Sequence, residues 1–131
     1  MKTALSPGMR ATSIILSAFI LTLAFPASAG EADVVDVDIR PNPDGTFFIA
    51  VTVQHADEGW DHYADAWQVV APNGDVLATR VLAHPHVTEQ PFTRFLSAVE
   101  IPADVNAVTV RARDSVHGLG GETLTVTVPR Q

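Results

Sequence analysis

Residues Thr46–His55 read TFFIAVTVQH. Phe47, Ile49, Val51 and Val53 alternate with Phe48, Ala50, Thr52 and Gln54. A period of two places the first set on one face of a β-strand, and β-branched and aromatic residues suit that pleated surface. His55 continues the inward series one step beyond Val53. The strand therefore predicts both a β fold and a histidine delivered to the end of its core face.

Similar segments lie on either side, separated by Pro, Gly, Asn and Asp. The expected strands are 33–40, 46–55, 63–70, 75–82, 92–101, 107–114 and 122–128. Val35, Val37 and Ile39 form the inward set of the first, and Trp67 and Val69 are core residues of the third. Val108, Val110 and Ala112 point inward in the sixth, with Arg111 and Arg113 outward. Leu124, Val126 and Val128 alternate with threonines in the seventh. PNPDG at 41–45 and PNGD at 72–75 carry strong turn chemistry. No window has a helical period, and strands this short need a second sheet to cover them. The expected fold is all-β: a seven-stranded antiparallel sandwich.

The start of the chain has the pattern of an export signal. Lys2 and Arg10 precede an apolar run from Ile14 to Phe25, and Ala27-Ser28-Ala29 forms a small-x-small cleavage site. The run is too short to span a bilayer comfortably. The expected organisation is a signal peptide at 1–29 and a sandwich domain at 30–131, located in the periplasm or outside the cell. No cysteine follows the run, so a lipid-anchored lipoprotein and disulfides are not expected.

Without residues 1–29 the chain keeps six Arg and no Lys against fifteen Asp and Glu, a charge of −9 with neutral His. That balance argues against nucleic acid and anionic membranes as partners. It is compatible with cations.

In an up-and-down chain, alternate connections share an end. The turns at 41–45, 72–75 and 102–106 share one pole and contain no histidine. The connections at 56–62, 83–91 and 115–121 share the other, and they contain or border His55, His62, His84, His86 and His117. Binding loops on sandwiches gather at one end by the same geometry. Imidazole with carboxylate suits Zn²⁺, Cu²⁺ or Ni²⁺. Both Met residues precede the cleavage site, so a thioether or thiolate site is not expected. The expected metal ligands are His55, His84, His86 and His117, with His62 or a nearby carboxylate as alternate. Asp114, Asp61, Glu89 and Arg94 are expected around them. Zn or Cu(II) is the expected cofactor. At least three ring nitrogens converging within about 4 Å would suit such an ion.

Other readings use the same residues. Asp114-Ser115-x-His117 holds triad residue types, but no strand–turn–helix elbow or oxyanion motif accompanies them, so an enzyme is not favoured. Trp60, Tyr63 and Phe92 form an expected aromatic contact surface for a protein or carbohydrate, with another exported or membrane protein as partner. Asp57-Glu58-Gly59 reads as a turn, and Asp61 and Asp65 as ion-pair partners of Arg94 or Arg80.

The alternating strands, Trp67 and the hairpin-like VTVRARDSVHGLGGETLTVTV at 108–128 resemble the immunoglobulin and fibronectin type III sandwiches over roughly residues 33–129. HADEGWDHYADAW at 55–67 and HPHVTEQPFTR at 84–94 resemble segments of small exported bacterial proteins of an uncharacterised family. The resemblance implies an immunoglobulin-like fold and export. It implies no activity. The inter-sheet cysteines of antibody domains are missing.

Overall fold

The computed structural model describes residues 3, 4, 8 and 30–130; the expected signal peptide lies almost wholly outside them. No helix among the described residues is long and apolar enough to cross a membrane. Eight strands follow in order: β1 (Asp33–Pro41), β2 (Phe47–Gln54), β3 (Ala64–Val70), β4 (Val76–Val81), β5 (Phe92–Val99), β6 (Ala107–Asp114), β7 (Gly118–Leu119) and β8 (Leu124–Thr127).

All pairings are antiparallel and build two sheets. One has the order β1-β2-β5. In the other, β4-β3-β6 continues through β7 and β8, which pair with successive stretches of β6. The seven expected strands are present. The difference is β7, two residues within the expected glycine-rich loop.

Two hairpins use one turn design. Gly45 N donates to Asn42 O, and Gly74 N donates to Ala71 O. The side chains of Asp44 and Asn73 accept from the amides of Thr46 and Asp75. Gly45 and Gly74 have φ of 88° and 93°, the left-handed region that closes a three-residue hairpin loop. These turns and the Pro102–Asn106 segment occupy the pole opposite the histidines.

The inner faces meet as expected on β2 and β6. Ile49, Val51, Val53, Trp67, Val69 and Val110 are fully buried. β1 departs from its expected pattern. Its register with β2 shifts between Val34 and Asp36, so the alternation changes phase: Val34 is buried, whereas Val35 is 48% exposed. An irregularity of this kind reverses the faces of the residues before it.

The start of β1 also leans on the opposite sheet. Val34 N donates to Glu122 O at 2.9 Å, and Glu122 N donates to the Asp33 carboxylate at 2.8 Å. A Cβ at Gly121 would lie 2.0 Å from Ala32 O, so this crossing needs glycine. The crossing separates β7 from β8.

Candidate metal centre

His55 and Asp114 stand where β2 and β6 run out, each one alternation beyond the last apolar residue of its inner face. Both are buried, Asp114 completely. His62 comes from the β2–β3 connection, where Glu58 N donates to His62 O at 2.8 Å. Mutual bonds between residues 63 and 115 then dock this connection on the end of β6: Ser115 N to Tyr63 O, and Tyr63 N to Ser115 Oγ.

These supports gather His55, His62 and Asp114, which offer one ligand atom each, all within 4.8 Å of one another. The His55 and His62 rings meet edge to face at 4.8 Å, and the His62 and His117 rings lie 5.0 Å apart. His62 Nε2 is 2.9 Å and His117 Nδ1 3.1 Å from Asp114 Oδ1. The same oxygen accepts the amides of Val116 and His117. One carboxylate oxygen thus serves four donors, while Oδ2 is buried with no partner. Burial pushes the Asp114 carboxyl upward, but the His117 and Val116 amides and the His117 ring outweigh it and hold its pKa below the ordinary value.

His55 is held on both sides. Nδ1 lies 2.6 Å from Asp57 Oδ1, and Nε2 lies 2.9 Å from the carbonyl oxygen of Gly30. Both neighbours are acceptors, so a ring with a single N–H leaves one contact without a proton. Asp57 also accepts from Ala64 N and His86 N. Asp57 reads as turn chemistry in sequence; in the fold it is the buried clasp between two connections. Gln90 adds to the clasp, accepting from His55 N and donating to His86 O. The strand period signals His55 and Asp114, but nothing local signals Asp57 or Gln90, whose partners are distant in sequence.

All five histidines reach one pole, but two are not members of the central group. His86 stacks on Phe92 at 3.9 Å. Its Nε2 faces Arg94 Nη2 at 2.8 Å. A guanidinium only donates, so Nε2 accepts and the proton of this imidazole belongs on Nδ1. Burial lowers the pKa of His86, followed by repulsion from Arg94 and His84, against the opposing pull of Glu89 and Asp57. His84 is exposed beside His86, and its Nδ1 meets Pro85 O. Pro85 thus leaves the two rings adjacent but turned toward Arg94 and solvent. Of the three other residues expected around a metal, Arg94 pairs with Glu89 at 3.3 Å, and Asp61 is exposed. Asp65 pairs with Arg113 rather than Arg80 or Arg94.

The expected aromatic surface is also divided. Trp60 is 67% exposed and meets Tyr63 edge to face. Phe92 is core, covered by His86, and contributes nothing to an outer surface.

Over 96 residues the chain is 43% identical to a protein of Halomicrobium mukohataei described as a "Putative lipoprotein". The match covers 73% of this chain and 47% of that protein, so the chain spans about half the length of the curated relative it matches. No family model and no solved structure matches the chain.

Proposed function

We propose that this is an exported protein that binds a divalent transition metal, Zn or Cu(II), at His55, His62 and Asp114, with His117 alongside. The carrying observation is the buried carboxylate of Asp114, crowded on one oxygen and bare on the other, beside two imidazoles. A buried polar atom without a partner is costly, and a cation is the partner this donor set suits. The group has two imidazoles and a carboxylate rather than three imidazoles. Its 4.8 Å span exceeds the roughly 3.4 Å between ligands of a tetrahedral ion, so binding would draw the side chains together.

The leader pattern at 1–29 and the description of the relative support export, with residues 30–131 as one domain. These 131 residues hold no cysteine, so they offer no thiol for lipid attachment. The three-against-four division of the full-length strands, with Trp67 buried between the sheets, supports an immunoglobulin-like sandwich.

The test is thermal unfolding of the exported protein in chelator and with Zn²⁺ or Cu²⁺ added. At a free concentration of about one hundred times Kd, a site confined to the folded state contributes about 2.7 kcal/mol. That raises the midpoint by about 10 °C in a domain of this size. No rise with either metal would sink the reading. It would favour the second one, a non-enzymatic module that binds a protein or carbohydrate at the same pole. That alternative rests on exposed Trp60, Val87, Val116 and Leu119, carried on three neighbouring connections.

A further inference from the structure

Gly30 is the residue that cleavage after Ala29 would leave first. Its carbonyl oxygen already lies 2.9 Å from His55 Nε2. Two ligands at right angles, each about 2.05 Å from an ion, are themselves about 2.9 Å apart. The span that holds a hydrogen bond here is therefore also that of two adjacent ligands. The α-nitrogen of Gly30 lies within about 3.6 Å of its own carbonyl oxygen by covalent geometry alone. An amine and a carbonyl on one residue close a five-membered ring around an ion.

We infer that leader removal completes the site: the α-amine and carbonyl oxygen of Gly30 join the His55 imidazole in chelating a cupric ion. This rests on the metal reading above and on cleavage after Ala29. Before cleavage the Gly30 nitrogen is an amide and a poor ligand. Afterwards it is an amine that sheds one proton as the metal binds. Nitrogen with oxygen in a tetragonal arrangement selects Cu(II). The neighbouring residues hold the terminus in place. Ala32 is buried, and Asp33 and Val34 bond to Glu122. Little ordering is then left for binding to impose.

Composition makes the test clean. Lys2 is the sole lysine of the chain, so a protein beginning at Gly30 has one amine, its α-amine. The full chain is expressed in an export-competent host, and mass spectrometry identifies its first residue. The purified protein is titrated with Cu²⁺ before and after acetylation by an amine-specific reagent, with near-ultraviolet circular dichroism confirming that the fold is retained. The expected result is Gly30 as first residue and at least a tenfold loss of Cu²⁺ affinity on acetylation. Unchanged affinity after acetylation, with binding lost in His62→Ala, overturns this inference and leaves the metal site standing. A different first residue overturns it as well. No Cu²⁺ binding by the unmodified protein overturns this inference, and the metal site falls with it only if Zn²⁺ also fails to bind.

Discussion

Asp57 Oδ1 lies 2.6 Å from His55 Nδ1, and both side chains are fully buried. The same carboxylate holds the amides of Ala64 and His86, so one residue ties the β2–β3 connection to the β4–β5 connection. Asp57→Ala strands three donors at once. Breaking a buried pair of this kind costs about 3–5 kcal/mol, a large share of the roughly 5–15 kcal/mol that holds a domain together. Asp57→Asn keeps an acceptor oxygen and should fall between wild type and Asp57→Ala. Urea midpoints check the order; equal midpoints for Asp57→Ala and wild type would show the clasp to be dispensable.

Asp114 makes an acid-sensitive contribution. Its folded pKa lies below the ordinary 3.8, so the folded state binds the proton more weakly than the unfolded chain. The carboxylate therefore stabilises the fold above that ordinary value, and the contribution is lost as pH falls through the folded pKa. In chelator, Asp114→Asn should be less stable than wild type at pH 6, with the gap closing below pH 4. Denaturant unfolding across that range reads it, and a gap independent of pH counts against the assignment.

His86 acts over a different window. Its pKa is depressed from 6.5, so protonation favours the unfolded chain. Stability is intact above pH 6.5 and declines as pH falls through the folded value. His86→Phe keeps a ring against Phe92 and removes the titrating group. Its stability curve should be flatter than that of wild type below pH 6.5, as urea unfolding at several pH values would show. A parallel curve would place the titration elsewhere.

The two tryptophans should differ sharply. Trp67 is fully buried between the sheets, and Trp67→Ala should cost about 3–5 kcal/mol. Trp60 is 67% exposed, and Trp60→Ala should change stability by at most about 0.5 kcal/mol. Thermal midpoints of the two variants decide this. A large loss at Trp60 would mean that its contact with Tyr63 organises the loop.

The period of two made β2 and β6 legible, down to the placement of His55 and Asp114 at their inner ends. It misread Val35 at the start of β1, because a single register shift between Val34 and Asp36 exchanges the faces there; Val37 and Ile39 beyond it pack against the core as expected. The shared pole was legible from strand direction alone. Which histidines join there was not, because ring direction depends on packing. His86 resembles a ligand by its spacing from His84, yet Phe92 and Arg94 claim its ring. His62 reads only as an alternate ligand until residues 63 and 115 dock it beside Asp114. Sequence separation hid those partners: His62 and Asp114 are 52 positions apart.

Seven full-length strands make an odd number of crossings. The polypeptide therefore enters the sandwich beside His55, at Gly30, and leaves at the far end, where Arg130 donates to Pro102 O and Val105 O. A tether attached ahead of Gly30 would hang the molecule with its histidines facing the anchorage. A fusion appended after Arg130 would project from the opposite face and leave the histidine pole unobstructed.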